Sequence, residues 1–338
     1  MQMKTSLFWY DLPEEQIAQK SVEPRDHSRL LVLDREQETL EHKKFFELGD
    51  FLKADDLLIV NETKVFKARL RTDNGVEIFL LRPEGNGWIA LAKPGRKISV
   101  GDVVTFEDGR TCEVVGKQED GTVMLNFDAA AGDILAWADR VGEIPVPPYV
   151  GEIPTEADKY QTVYAKTVGS VAAPTAGFHF TPELMEMLKA KGVRFATVTL
   201  HVGLGTFRPI KSDTIEEHEM HAEWIDVPEE TQRLIRETKD AGSRVIAVGT
   251  TSVRALESDV TNGFTNLFIT PGYQFKVVDG LITNFHLPQS SLLVLVSAFI
   301  SEHKNDPDTG RNVLLSAYNQ AIKEGYRFYS FGDAMFIQ

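Results

Sequence analysis

The chain has 338 residues, of which 42% are hydrophobic and 25% are charged. This composition excludes a disordered chain, and a prior of roughly 150 residues per domain predicts about two domains. The single cysteine, Cys112, excludes internal disulfides and favours a reducing compartment. No signal peptide is recognisable at the start, and the longest apolar run, residues 292–300, is too short to cross a bilayer. We therefore expect a cytoplasmic protein that is not bound to a membrane.

The formal net charge of −14 disfavours nucleic-acid binding over the surface as a whole. Residues 64–97 differ from the rest of the chain, because they hold eight basic and only three acidic side chains. Such a window indicates either an ordinary solvated sheet face or a local patch that binds phosphates.

The predicted elements change character along the chain. Residues 29–34 and 56–61 are short apolar runs bounded by charge, which predicts buried strands, and residues 45–52 between them have helical spacing. From 67 to 127, short β-branched segments separated by glycine turns predict a small sandwich or barrel. The proline-rich residues 144–149 are typical of a linker.

After residue 150 strands alternate with helices. We predict helices over 182–191, 228–241, 252–258, 292–300 and 312–324, and strands over 194–202 and 244–248. This alternation indicates an α/β layer with parallel pairing. The fold class is therefore α/β, with a catalytic domain of residues 1–66 and 149–338 interrupted by a small β-barrel domain of residues 67–148.

Histidines are concentrated in the second half of the chain. Five of the eight lie beside a glycine, a turn or a strand end, where binding residues concentrate: His179, His201, His218, His221 and His286. They are candidates for acid or base catalysis, because imidazole titrates near neutral pH, unless they are structural. The alternative is a metal site in which His218 and His221 lie on a possible helix with Glu219 and Glu223 nearby, although the spacing is not that of zinc proteases.

Other polar segments favour a pocket. Residues 245–254 are predicted to form a strand, a turn and a helix start, which is typical of an anion site or of plain N-capping. The turn at 203–206 lacks the third glycine of a dinucleotide fingerprint, and no phosphate-binding loop motif occurs. Asn284 and His286 have apolar neighbours and so need partners. These features predict an α/β enzyme with a histidine-rich pocket and a small β domain with a basic edge, and they leave the substrate open.

Nine stretches of the chain carry a family resemblance: YDLPEEQIA (10–18), PRDHSRLLVL (24–33), LIVNETKVFKARL (58–70), GSVAAPTAGFHF (169–180), LHVGLGTFRPI (200–210), EEHEMHAEW (216–224), VGTTSVRALE (248–257), PGYQFKVVDGLITNFHLPQSSLLVLVSAF (271–299) and YRFYSFGDAM (326–335). From Phe8 to about Ile337 the chain resembles the S-adenosylmethionine:tRNA ribosyltransferase-isomerases of bacterial queuosine synthesis. It departs from the family pattern at Phe178, where leucine is expected, and at Phe331, where tyrosine is usual.

The resemblance implies a reaction and a fold. The ribosyl portion of S-adenosylmethionine is transferred and isomerised onto 7-aminomethyl-7-deazaguanine at the tRNA wobble position, giving epoxyqueuosine and releasing adenine and methionine. No metal or cofactor is expected, because S-adenosylmethionine is consumed as a co-substrate. The resemblance also implies a large α/β domain like a partial barrel with a small β-barrel domain, and we expect a monomer.

The resemblance further implies roles for particular residues. The five histidines form the pool of catalytic acids and bases. Candidate substrate-binding residues are Thr175, Arg208, Glu223, Thr250, Thr251, Ser252, Arg254, Tyr273, Asn284 and Asp333. Candidate contacts to the tRNA backbone are Lys64, Arg69, Lys93 and Arg96. A metal-dependent hydrolase, a non-catalytic RNA-binding module and a methyltransferase are the alternatives.

Overall fold

The structure, a computed structural model, describes residues 2–118, 121–146, 149–151, 160–203, 209–302, 304 and 306–338. The chain divides into two compact units. The larger unit comprises Met1–Glu62, Gln161–Ala165 and Pro174–Gln338, and the smaller comprises Thr63–Tyr160 and Lys166–Ala173. The domain boundaries predicted near 67 and 148 both fall inside the smaller unit.

The described residues form seventeen strands and six α-helices, numbered in chain order. The strands are β1 (Arg29–Asp34), β2 (Thr39–Lys44), β3 (Leu57–Asn61), β4 (Thr63–Val65), β5 (Arg69–Arg71), β6 (Glu77–Glu84), β7 (Gly87–Lys93), β8 (Val103–Thr105), β9 (Thr111–Lys117), β10 (Thr122–Asn126), β11 (Thr167–Ser170), β12 (Arg194–Leu200), β13 (Glu223–Asp226), β14 (Val245–Val248), β15 (Asn262–Thr265), β16 (Gly280–Asn284) and β17 (Ala334–Ile337). The helices are α1 (Ala131–Val141), α2 (Pro182–Ala190), α3 (Glu229–Asp240), α4 (Thr250–Glu257), α5 (Ser291–Ile300) and α6 (Pro307–Lys323).

A mixed nine-stranded sheet is the centre of the larger unit. Its strand order is β15-β13-β12-β3-β14-β16-β17-β1-β2. Strands β12, β3, β14 and β16 run parallel to one another, and β17 pairs antiparallel with β16 and parallel with β1. Every residue of β3, β14, β16 and β17 is buried, as expected for strands covered on both faces. The predicted α/β class with parallel pairing is confirmed.

The helices of the larger unit begin where local signals place them. The Thr181 hydroxyl accepts the Leu184 N–H at 3.2 Å, with Pro182 at the first helical position, so α2 begins as predicted. Its Leu184 and Leu188 pack in one cluster with alternate sheet residues such as Leu58. All ten residues of α5 are buried. No helix in the described part of the chain combines the length and apolar content that a membrane crossing requires.

Some expectations for the larger unit were wrong. Residues Phe45–Phe51 form a 3-10 helix rather than an α-helix, and α4 begins at Thr250, two residues earlier than predicted. His218 follows a single 3-10 turn, Ile215–Glu217, and residues 218–222 are irregular, so His218 and His221 do not share a helix. The short edge strands β2 and β15 were not predicted, because they lack an apolar run.

The smaller unit contains a curled six-stranded antiparallel sheet in the order β5-β6-β7-β10-β9-β8. Just past the ends of the two edge strands, the Asp73 N–H donates to the Thr105 carbonyl at 3.1 Å and the Glu107 N–H donates to the Arg71 carbonyl at 3.2 Å. Helix α1, which was not predicted, places Trp137 against Phe106 at 4.9 Å between ring centroids. A separate parallel pair joins β4 and β11.

Candidate active site

Most of the predicted site residues lie along one edge of the nine-stranded sheet, which we call the carboxyl edge. This edge is formed by the carboxyl ends of the parallel strands β12, β3, β14 and β16. Asn61 and Asn284 are the last residues of β3 and β16, His201 follows β12, and Thr250–Ser252 begin α4 after β14. In open α/β sheets ligands bind at such an edge. The sheet order therefore brings together segments that are distant in sequence.

His179 lies in a buried polar network at this edge. Its Nδ1 is 2.7 Å from Ser28 Oγ, and its Nε2 is 3.3 Å from Asn284 Nδ2. Asn284 Nδ2 also donates to the Tyr329 carbonyl at 3.1 Å, and Thr175 Oγ1 donates to Asn284 Oδ1 at 3.4 Å. Burial, reinforced by the charges of two nearby arginines, lowers the pKa of His179 to about 3. The imidazole is therefore neutral near neutral pH.

Glu223 and Arg254 form a buried ion pair beside the end of β12. Arg254 Nη1 donates to Glu223 Oε2, and Glu223 Oε1 accepts the Gly203 N–H at 2.7 Å. Arg254 Nε donates to the Leu267 carbonyl at 3.1 Å, whereas Arg254 Nη2 is buried and has no acceptor in the described part of the chain. The expectation that Arg254 offers its whole guanidinium to an anion is corrected, because a carboxylate of the protein already occupies one side of it.

The hydroxyl groups at the start of α4 have different surroundings. Gly249 turns the chain with a φ of 87°, and its α-hydrogen faces Ala176 and Thr251. Thr251 Oγ1 accepts from Asn61 Nδ2 at 3.2 Å, and Ser252 Oγ donates to the Val248 carbonyl at 2.7 Å. Thr250 is buried at the first position of the helix. The hydroxyls of Thr251 and Ser252 thus contribute first to the local structure.

The other histidines do not converge with His179 in one cleft. His201 stacks on Trp224 at 5.1 Å, and burial lowers its pKa to about 4. Burial also lowers the pKa of His286 to about 3, and its Nε2 is 2.8 Å from the Thr283 hydroxyl. Since β3 and β14 separate β12 from β16, the His201 and His286 segments are about 14 Å apart at the sheet spacing.

His218 and His221 lie in the irregular segment before β13. The ring of His218 contacts Phe268 edge-on at 5.3 Å, and burial followed by the charge of His221 lowers its pKa. His221 is exposed and His218 is half-buried. In the described part of the chain no group of three or more histidine, cysteine, aspartate or glutamate side chains is placed to hold a metal ion. The metal alternative needed Glu223, which instead pairs with Arg254.

Two of the predicted binding residues are engaged elsewhere, and one lies outside the described residues. Both carboxylate oxygens of Asp333 accept main-chain N–H groups, from Arg29 and from Arg327, each at 2.8 Å. The Tyr273 hydroxyl donates to the Glu257 carbonyl at 3.1 Å, at the end of α4 far from the carboxyl edge. Arg208 lies within residues 204–208, which are not described.

The predicted tRNA contacts lie in the smaller unit. Lys64, Lys93 and Arg96 are exposed. Arg69 is not available in the way expected, because its Nη2 lies 2.6 Å from Glu77 and its Nη1 lies 3.8 Å from Glu143. Bonding to Glu77 raises the pKa of Arg69, so its positive charge is balanced within the protein.

Sequence reasoning missed three residues of the carboxyl edge: Ser28, Asn61 and Tyr329. Each lies within one of the stretches that carry the family resemblance. Tyr329 has a φ of 70°, an uncommon conformation for a tyrosine, and its carbonyl accepts from both Asn284 and Gly332. Residue type alone gave no signal, because serine, asparagine and tyrosine are ordinary in turns and strand ends.

Comparison with known proteins agrees with this arrangement. The profile of the family described as "Queuosine biosynthesis protein" matches residues 5–337. Among solved structures, the chain is similar to the S-adenosylmethionine tRNA ribosyltransferase of Thermotoga maritima, with 39% identical residues over 98% of this chain and 100% of that chain, and a TM-score of 0.56. Both matches span nearly the whole chain, so they include every segment of the carboxyl edge. The chain belongs to the queuosine biosynthesis protein family.

Proposed function

We propose that this chain is an S-adenosylmethionine:tRNA ribosyltransferase-isomerase. It transfers and isomerises the ribosyl portion of S-adenosylmethionine onto 7-aminomethyl-7-deazaguanine at the tRNA wobble position, giving epoxyqueuosine with release of adenine and methionine. The match along 98% of the chain to a solved S-adenosylmethionine tRNA ribosyltransferase carries this proposal. The row of polar side chains at the carboxyl edge supports it, because such an edge is where an α/β sheet binds small ligands.

The reaction requires three proton movements. A proton leaves the ribose carbon next to the sulfonium, adenine departs with hydrogen bonds or a proton on its ring nitrogens, and the aminomethyl nitrogen attacks in its neutral form. The five histidines remain the proposed pool for these steps. Within that pool the accessible rings of His218 and His221 are better placed for proton transfer than the buried rings of His179 and His286.

Binding is proposed for the remaining candidates. Arg254 Nη2 and the start of α4 face the same edge segment and would hold the methionine carboxylate. The smaller unit, which we propose to be a closed β-barrel, would contact the tRNA backbone through Lys64, Lys93 and Arg96. S-adenosylmethionine acts as a co-substrate, and neither a metal nor a cofactor is needed. We further propose that the protein works as a monomer in the cytoplasm, and that the two units correspond to the predicted domains.

The test is a product analysis. The chain is incubated with S-adenosylmethionine and tRNA carrying 7-aminomethyl-7-deazaguanine, and adenine, methionine and the digested nucleosides are separated and identified by mass. We expect adenine, methionine and epoxyqueuosine in equal amounts. The same tRNA with guanine at the wobble position is the acceptor control, and S-adenosylhomocysteine, which lacks the sulfonium charge, is the donor control.

Three other results would each overturn the proposal. Tight tRNA binding without adenine release would indicate a binding module. Formation of S-adenosylhomocysteine would indicate methyl transfer. Activity that is lost on chelation and restored by zinc would indicate a metal-dependent hydrolase.

A further inference from the structure

Thr175, Asn284, His179 and Ser28 form one chain of hydrogen bonds, which we call the Thr175 relay. Its three inner members are buried, with 4% or less of Asn284, His179 and Ser28 exposed. Thr175 alone is half-buried. The relay therefore connects one accessible hydroxyl to a dry interior, where each polar group needs a partner.

The Tyr329 carbonyl fixes the orientation of the Asn284 amide. A carbonyl oxygen can only accept a hydrogen bond, so the atom 3.1 Å from it must be the amide nitrogen of Asn284. The Tyr329 carbonyl is itself held in place, because it also accepts the Gly332 N–H at 3.0 Å while the Tyr329 N–H donates to the Phe285 carbonyl at 3.1 Å. Asn284 therefore presents its oxygen to Thr175.

The orientation of Asn284 fixes the protonation of His179. Since Asn284 Nδ2 donates to His179 Nε2, that ring nitrogen carries a lone pair, and the single ring proton lies on Nδ1. Nδ1 then donates to Ser28 Oγ at 2.7 Å. Both ring nitrogens are occupied, and the ring packs on Phe45 at 5.0 Å. The pKa of about 3 that burial gives His179 agrees with this neutral form.

The same logic decides what Thr175 can offer to a ligand. Asn284 Oδ1 can only accept, so the Thr175 hydroxyl donates its one proton to it at 3.4 Å. The lone pairs of Thr175 Oγ1 remain, on the one accessible member of the relay. Its free partner must then be a hydrogen-bond donor.

We propose that Thr175 binds a hydrogen-bond donor of the substrate through its hydroxyl oxygen, and that His179, Asn284 and Ser28 are positioning residues that transfer no proton. This inference rests on the proposed function. Two donors fit the chemistry: a ribose hydroxyl of S-adenosylmethionine and the aminomethyl nitrogen of the tRNA base.

Thr175→Val and Thr175→Ser test the acceptor role. Valine keeps the branched shape without the oxygen, and serine keeps the oxygen. We expect Thr175→Val to raise one KM about ten-fold, as for a lost hydrogen bond whose partner is left unsatisfied, while Thr175→Ser stays near wild type. A rise in the KM for S-adenosylmethionine identifies the ribose hydroxyl, and a rise in the KM for tRNA identifies the amine.

Equilibrium binding of S-adenosylmethionine and of the modified tRNA to the same variants is measured without turnover, so the inference can be judged even if the proposed reaction fails. If Thr175→Val matches wild type in both KM values and both affinities, the acceptor role is refuted. If wild type binds both ligands but releases no adenine, the proposed function fails and the binding comparison still decides the role of Thr175.

His179→Gln tests the positioning role. A glutamine amide can accept from Asn284 and donate to Ser28 but cannot act as a base. We expect kcat to fall by no more than about ten-fold and the pH profile of kcat to keep its shape, because removal of a general base costs 100-fold or more. Loss of that size, with loss of one limb of the pH profile in a variant that still melts cooperatively, would overturn the inference.

Discussion

Replacing Glu223 by glutamine removes one charge from the buried ion pair with Arg254. The side chains are only 5% and 4% exposed, so water screens the pair little and the small values typical of surface pairs do not apply. Glutamine keeps an oxygen for the Gly203 N–H, which leaves the guanidinium as the group that loses its partner. We expect the free energy of unfolding to fall by about 3–5 kcal/mol, because a buried charge is left uncompensated.

Calorimetry measures this effect directly. For a unit of this size a loss of that magnitude lowers the melting temperature by roughly 10 °C. The transition of the larger unit should shift while that of the smaller unit stays fixed, which provides an internal control. Glu230→Gln is the matched external control, because Glu230 pairs with Arg233 on the exposed face of α3, and no measurable shift is expected.

A second variant separates the charge from the packing. Combining Glu223→Gln with Arg254→Met removes both charges and keeps most of the volume, so most of the lost stability should return. A single variant within 1 kcal/mol of wild type, or a double variant less stable than the single one, would refute the reasoning about the buried pair.

Three further predictions follow from burial and charge. Burial holds the pKa of His179 and His286 near 3 in the folded chain against an ordinary 6.5, so their contribution to stability is complete above about pH 6.5 and is lost as the pH falls toward 3. Urea unfolding between pH 7 and pH 5 should show a decline of about 1.4 kcal/mol per pH unit for each histidine, and a flat profile would contradict it. Arg96→Gln should weaken tRNA binding in filter assays and reduce its salt dependence, whereas Arg69→Gln should not, because Glu77 already balances that charge; equal effects would remove the distinction. Tyr164→Phe should leave the melting temperature equal or higher, because the hydroxyl is buried without a partner, and a clear decrease would show that the hydroxyl is bonded.

Local signals predicted those parts of the fold that local forces determine. The apolar run at 56–61 became β3 apart from its first residue, because a short run bounded by charge is stable only inside a sheet. Thr181 and Pro182 marked the start of α2 by satisfying and omitting N–H groups of its first turn. Helix α1 carried a readable signal too, with Ile134, Trp137 and Ala138 on one face, but the surrounding β segments outweighed it.

The site could be predicted only in part, because its contacts are non-local. The sequence identified His179 and Asn284 as separate candidates, 105 positions apart, without indicating that they touch. Placing β3 between β12 and β14 requires pairing across more than 130 residues, which no periodicity reports. Ser28 was missed for the same reason, since its importance comes from His179, 151 positions away.

The two departures from the family pattern show what the structure adds to a resemblance. Phe178 and Phe331 lie 153 positions apart in sequence, yet their rings stack at 5.9 Å with an angle of 24° between the planes. The guanidinium of Arg25 lies 5.4 Å from the Phe178 ring centre, where an aromatic face attracts a cation and leucine would not. The two positions thus form one packing unit beside His179, and each departure has its physical context in the other. A change of this kind adjusts the wall of the site while the polar groups of the Thr175 relay keep their partners, so it fits a conserved reaction with an altered local packing.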